Sequence, residues 1–213
     1  MMCASIYDIE EMLQAFVRNG IEYLHIDVMD GVFVPNFMLS NSISKQYREK
    51  CNIPLDYHLM VVNPLEKINW FDLRKGDLMS IHLESTDKIK ECLDLIHSKG
   101  AKAGLAIKPQ TPASKIIPYI KKIDFVLVMT VNPGFAGQKL VIETLNKIAD
   151  MRKLLDENNR KDVMIEVDGN VGFENAKIMR EKGANIFVAG TSSVFRKDLS
   201  IEEGIHKLRE AIK

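Results

Sequence analysis

Seven short apolar runs bounded by turn-forming residues recur along the chain: Tyr23 to Met29, Leu55 to Val61, Leu78 to Leu83, Ala103 to Ile107, Phe125 to Val131, Val163 to Val167 and Asn185 to Ala189. In a parallel sheet both faces of a strand are covered, so a strand reads as a near-continuous apolar run rather than an alternating one. Between the runs lie stretches with helical spacing: Ile9 to Arg18, Asn41 to Lys50, Pro64 to Leu73, Asp87 to Ser98, Ala113 to Lys121, Leu140 to Asn158, Phe173 to Lys182 and Ile201 to Ile212. This alternation predicts right-handed βαβ units and a parallel sheet. An open doubly wound sheet would carry a glycine-rich fingerprint directly after its first strand, and Asp30-Gly-Val-Phe-Val-Pro-Asn36 is not one. The predicted fold class is therefore α/β, a (β/α)8 TIM barrel. No Pro-, Gly- or Ser-rich linker divides the chain, so a single domain over residues 1–213 is expected. Only Met1 to Ser5 precede the first helix. The barrel is thus expected either to close through a truncated first strand or to continue upstream of this start.

Composition narrows the function classes. Apolar residues make up 46% and charged residues 27% of the chain, ordinary globular usage that excludes a fibrous or disordered class. Lys plus Arg (29) equals Asp plus Glu (29), so no net field favours nucleic acid or an anionic membrane, and an anionic substrate must be captured locally. With no apolar span of membrane length and no leader pattern at the N-terminus, a cytoplasmic protein is expected. Cys3, Cys51 and Cys92 are odd in number and lack CxxC spacing, so they are read as free thiols.

Polar residues inside three of the runs carry the chemistry. Side chains alternate along a strand, so His25, Asp27 and Met29 share one face while Ile26 and Val28 take the other. Barrel enzymes place their chemistry at the carboxyl ends of the strands, where this polar face would meet the lumen. Inward-facing imidazoles and carboxylates are costly unless paired or bound to a metal. His58-Leu-Met60 repeats the device on the next strand, and Glu166-Val-Asp168 brings a second carboxylate from across the ring. Two imidazoles and two carboxylates make a mixed N/O site for one divalent ion, Zn, Fe, Mn or Co rather than Ca. Such an ion polarises a ketone, and a carboxylate on each face of the adjacent carbon could take one proton and supply another, the minimum equipment for inversion. The plainer alternative is a set of mutually satisfied lumen residues; for His25 or His58 alone it would be preferred. Met29, Met60 and Met129, each near a strand's carboxyl end, are either core filler or a collar that keeps water from the reacting carbon. His82 and Glu84 share a face and are candidate supports for the ligands.

Three glycine-bearing turns follow late strands: Asn132-Pro-Gly134-Phe135-Ala136-Gly137-Gln138, Asp168-Gly169-Asn170 and Gly190-Thr191-Ser192-Ser193. Glycine lets backbone N–H groups approach an anion, and the last turn is expected to open a short helix whose N-terminus attracts phosphate. Loops after the seventh and eighth strands are a frequent phosphate site in barrels.

These residues resemble the ribulose-phosphate 3-epimerase family. The matching motifs are His25-Ile-Asp-Val-Met-Asp-Gly-Val-Phe-Val-Pro-Asn36, Asp56-Tyr-His-Leu-Met60, Val128-Met-Thr-Val-Asn-Pro-Gly-Phe-Ala-Gly-Gln138, Glu166-Val-Asp-Gly169 and Val188-Ala-Gly-Thr191, spread over nearly the whole chain. The resemblance implies that His25, Asp27, His58 and Asp168 ligate one divalent metal ion and that Asp27 and Asp168 are the acid/base pair. It makes Met29, Met60 and Met129 the collar, and the turns around Gly134, Gly169 and Gly190 the phosphate cradle. It also implies a small phosphorylated ketose as substrate, and a homo-oligomer is expected. Leu39-Ser40, Thr130, Ala136, Asn170 and the Gly190-Thr-Ser-Ser193 turn look more like D-allulose-6-phosphate 3-epimerase than the pentulose enzyme. Lys108 stands where the family usually has Asn, and family members usually open with a strand ending in Pro-Ser.

Two rivals define the comparison. A non-catalytic phosphosugar-binding barrel would keep the turns, but intact Asp27 and Asp168 speak against it. An orotidine-phosphate decarboxylase-like or hexulose-phosphate synthase-like barrel would want a lysine on the strand that carries the Asp pair, and Ile26 and Val28 offer none.

Overall fold

The computed structural model describes residues 1–213. Its strands are β1 (Leu24–Asp30), β2 (Phe37–Met38), β3 (Leu55–Met60), β4 (Leu78–His82), β5 (Lys102–Ile107), β6 (Phe125–Met129), β7 (Met164–Asp168) and β8 (Ile186–Val188). Its α-helices are α1 (Ile9–Arg18), α2 (Asn41–Lys50), α3 (Pro64–Lys67), α4 (Ile89–Ser98), α5 (Glu143–Glu157), α6 (Phe173–Glu181) and α7 (Ile201–Ala211). All seven apolar runs became strands, paired parallel in the order β1-β3-β4-β5-β6-β7-β8. The curled, mostly parallel sheet with intervening helices is a (β/α)8-type barrel.

Burial explains why the runs lost their alternation. Every residue of β3, β4 and β6 is buried, one face against the helices and the other in the lumen. The lumen is filled by side chains, and Gly104 shows how tightly. It is the register partner of Phe125, and a Cβ on Gly104 would lie 2.2 Å from that ring. The helices turn apolar stripes inward: α1 buries Met12, Leu13, Ala15 and Phe16, and α7 buries Ile205 and Leu208. α7 starts at a capping box, in which Glu203 N donates to Ser200 Oγ and Ser200 N donates to Glu203 Oε2. No helix is long and apolar enough to cross a membrane.

Three local expectations are corrected. Residues 113–119 form a 3-10 helix, because Pro118 has no N–H to offer the carbonyl four residues back. The stretch from Pro64 divides into α3 and a 3-10 turn over Ile68–Trp70. The sheet's eighth strand is β2, which pairs antiparallel with β1 through only Met29↔Met38 and Asp30↔Phe37.

The expected truncated first strand does not form. Residues 1–5 adopt no strand, and the Met1 ammonium donates to His25 O at 2.5 Å, the one main-chain bond tying this segment to β1. β1 and β8 do not pair with each other, so the ring stays open at a seam between them. Below the segment lies a cavity of about 330 Å³, walled by side chains such as Phe16, Leu24, Phe187 and Leu208, with His25, Asp56 and Glu166 at its polar end.

Candidate active site

Register builds the site in layers. β1 and β3 run side by side with His25 opposite Asp56, Asp27 opposite His58, and Met29 opposite Met60. Across the ring, Met129 at the end of β6 is opposite Asp168 at the end of β7. Parity then points all of these into the lumen, and the carboxyl-end layer is where the barrel opens.

His25, Asp27, His58 and Asp168 each bring one ligand atom into a group whose members lie within 4.8 Å of one another. His25 Nε2 and His58 Nδ1 both lie 3.5 Å from Asp27 Oδ1, and His58 Nδ1 is 3.8 Å from Asp168 Oδ2. These separations are too long for hydrogen bonds, and both nitrogens are buried without a hydrogen-bond partner. Two orphaned imidazole nitrogens facing two carboxylates are what a divalent ion with mixed N/O ligation would satisfy, so the residues present fit one.

The electrostatics agree. Burial opposes a charge on His25, but the Asp56 and Asp27 carboxylates outweigh it and raise its pKa well above the usual histidine value. Burial likewise works to raise Asp27, yet the charge of His25, 3.5 Å away, together with the adjacent His58, holds it well below the ordinary carboxylate range. Asp168 is pushed up by burial and then by the nearby Asp27 charge. The cluster is thus short of positive charge, and the two carboxylates on which inversion would depend are driven apart in proton affinity.

Two neighbours were missed as site residues by the sequence reading. Asp56 Oδ2 lies 2.5 Å from His25 Nδ1, and Glu166 Oε1 lies 3.5 Å from the same nitrogen. Glu166 is fully buried, its two carboxylate oxygens have no hydrogen-bond partner, and burial together with Asp56 raises its pKa well above the usual value. The signal was available: Asp56 and Glu166 stand two residues before His58 and Asp168, on the same lumen face one layer down. Met1, Met2 and Cys3 also line the pocket over Asp27, which no pattern in the sequence indicated.

The pocket above the carboxylates gathers the other expected residues. Met29, Met60 and Met129 line it and are 5%, 1% and 2% exposed, a sulfur-rich wall beside Asp27. Gly134, Phe135, Ala136 and Gly137 line it from one turn, Gly169 and Asn170 from the second, and Gly190, Thr191 and Ser192 from the third. No Lys or Arg lines it. The expected short helix at Gly190 is absent. Ser193 N and Phe195 N both donate to Gly190 O, closing a wide turn, and regular helix begins only at Ile201.

Side chains lock these turns to one another. Thr130 Oγ1 donates to Asp168 O and Gly169 O, and Asn170 Nδ2 donates to Gln138 O at 2.7 Å. Gly169 has φ +115°, and a Cβ there would lie 2.5 Å from Val131 Cγ2, so both conformation and space require glycine. The loop after β1 is pinned by Asn36 Nδ2 donating to Gly134 O at 2.8 Å. On the same loop, Phe33 carries the Lys108 ammonium 4.1 Å from its ring centroid, which gives Lys108 a physical role.

Comparison with known proteins bears on this arrangement. A family model described as "Ribulose-phosphate 3 epimerase family" matches residues 1–195. Over 181 residues the chain is 40% identical to the ribulose-phosphate 3-epimerase of Bacillus subtilis (strain 168), covering 85% of this chain and 83% of that protein. Over 215 residues it is 35% identical to the ribulose-phosphate 3-epimerase of Schizosaccharomyces pombe, covering 100% and 91%. Among solved structures it is similar to a 3-hexulose-6-phosphate synthase (TM-score 0.65, 13% identity, 96% of this chain and 95% of that one). It also resembles a 3-keto-L-gulonate-6-phosphate decarboxylase from Vibrio cholerae (TM-score 0.67, 9% identity, 97% and 91%). At such identities the likeness is one of barrel fold alone.

Proposed function

Because the chain belongs to the ribulose-phosphate 3-epimerase family and is an isomerase of that kind, we propose that it interconverts D-ribulose 5-phosphate and D-xylulose 5-phosphate. Asp27 and Asp168 act as the two proton stations, one on each face of C3. The observation that carries this reading is the convergence of Asp27 and Asp168, from strands separated by β3 to β6, on the two unpartnered imidazole nitrogens. Carboxylates fixed on different strands cannot exchange places, so each addresses its own face of the substrate.

Asp27 takes the C3 proton on one face, and Asp168 delivers one from the other side. The reverse reaction exchanges the roles. His25, Asp27, His58 and Asp168 would hold one divalent ion (Zn, Fe, Mn or Co), which would supply Lewis acidity for negative charge on the substrate oxygens. Met29, Met60 and Met129 exclude water from the carbanionic carbon. The phosphate is held by backbone N–H groups of the turns at Gly134–Gly137, Gly169–Asn170 and Gly190–Ser192, in keeping with a pocket that has no lysine or arginine in its wall.

D-Allulose 6-phosphate is the second substrate to test. Two of the positions that suggested it, Thr130 and Asn170, have their side chains engaged in tying turns together, so they give the hexulose no support. The deciding experiment is a coupled assay of both ketose phosphates on Co(II)-loaded protein. Turnover of D-ribulose 5-phosphate with much the larger kcat/KM is expected. Preference for the six-carbon sugar would overturn the substrate assignment, and binding without turnover would reduce the protein to a phosphosugar-binding barrel.

A further inference from the structure

We propose that His82 and Glu84 are positioning residues that fix the tautomer and ring plane of His58, so that its bare Nδ1 lone pair faces Asp27 and Asp168. The inference deepens the metal reading given above and rests on it for its consequence, though not for its geometry.

His58 is fully buried, and its two ring nitrogens have opposite surroundings. Nε2 lies 2.8 Å from His82 Nε2, whereas Nδ1 has no hydrogen-bond partner. Between two imidazole nitrogens at that distance one must donate and the other accept, and the geometry of the pair alone does not say which. Glu84 decides it. His82 Nδ1 is 3.1 Å from Glu84 Oε2, and the other oxygen of that carboxylate accepts from Lys108 N at 3.0 Å and from the Thr111 hydroxyl. A carboxylate surrounded by donors is an acceptor, so the His82 proton sits on Nδ1 and its Nε2 is left as a lone pair. His58 must then donate through Nε2, which leaves Nδ1 unprotonated, aimed 3.5 Å from Asp27 Oδ1 and 3.8 Å from Asp168 Oδ2.

The plane of the relay is held as firmly as its polarity. The His82 ring is fully buried and packs against Phe33 at 4.8 Å between centroids, and Phe33 is in turn covered by the Lys108 ammonium. His58 and His82 stack at 5.0 Å with 34° between their planes. His25 has the simpler form of the same device, Asp56 on Nδ1 and Nε2 left free. The two histidines are therefore presented through different atoms, His25 by Nε2 and His58 by Nδ1, each fixed by the partner on its far side.

The test uses nitrogen-15 histidine spectra of the metal-free protein and Co(II) affinity by chelator competition. The parent should show His58 as the single Nε2–H tautomer. His82→Leu removes the acceptor; it should lose that uniform tautomer and weaken Co(II) binding by about 10- to 100-fold. His82→Gln keeps an amide oxygen where His82 Nε2 stood and should restore affinity to within about threefold of the parent. An Nδ1–H tautomer in the parent, or unchanged affinity in folded His82→Leu, would overturn the relay. The parent spectrum decides the question even if His82→Leu does not fold. Failure of the parent to bind Co(II) would sink the metal reading instead, while the tautomer would still test the relay.

Discussion

Replacing Asp168 by asparagine tests the two-station mechanism most directly. The change keeps the side chain's shape and removes its ability to carry the proton. The backbone should stay in place, because Thr130 N and the Thr130 hydroxyl both donate to Asp168 O, at 2.7 and 2.9 Å. Its side chain is 19% exposed, so the amide is accommodated without a new buried charge. A positioned acid or base is worth about 100- to 10,000-fold in rate, which at 1.36 kcal/mol per factor of ten is a barrier increase of about 3–5 kcal/mol. Epimerisation by Asp168→Asn should fall by that factor when parent and variant are compared at equal bound metal. The sharper readout is isotope exchange in D2O. With Asp27 still able to remove and return the proton on its own face, deuterium should wash into C3 of the substrate without inversion. Asp168→Asn and the matching Asp27→Asn must both be read alongside their bound-metal content, because both carboxylates are in the proposed ligand set. If Asp168→Asn epimerises at near the parent rate with metal in place, the second proton donor lies elsewhere and the pairing of Asp27 with Asp168 is wrong.

Two further outcomes follow from the geometry. Asp30 accepts from Val32 N, Phe33 N, Val62 N and Lys67 Nζ; burial opposes its charge, but these donors hold its pKa well below the usual aspartate value. A depressed folded-state pKa stabilises the fold above the unfolded value of about 4 and loses that stabilisation as pH falls toward the folded value. Asp30→Asn should therefore cost about 1–3 kcal/mol in urea melts near neutrality, and the difference from the parent should shrink as the pH is lowered below about 4; a pH-independent difference would refute it. For phosphate binding, Gly190→Val should raise KM more than Lys139→Ala, since a Cβ at Gly190 has room (nearest atom Cys3 Sγ, 3.9 Å) and the added bulk would project toward the substrate. A larger effect at Lys139 would show that the phosphate is held by charge rather than by backbone N–H groups.

The sequence by itself determined the sheet and the face on which the chemistry sits. Burial on both sides makes a parallel strand a continuous apolar run, so β1 and β3 to β8 were legible, and period-2 parity put His25, Asp27 and His58 into one lumen. The bounds of α1 and α2 were legible too, because both begin and end where the periodic pattern does. Residue pairings made by neighbouring strands and loops were not. β2 exists only because the loop after Asp30 folds back on Met29 and Asp30, and two residues leave no period to read. The open seam between β1 and β8, the Met1–Cys3 segment over the pocket and the wide turn at Gly190 are equally decided by how distant segments meet. The same limit applies inside the site. Parity says which way a side chain points, but not which neighbour it meets, at what distance, or which nitrogen keeps the proton. That Asp56 sits on His25 Nδ1, and that His82 and Glu84 leave His58 Nδ1 bare, follows from register and from which hydrogen-bond partners each buried nitrogen meets, and both exist only once the strands are assembled.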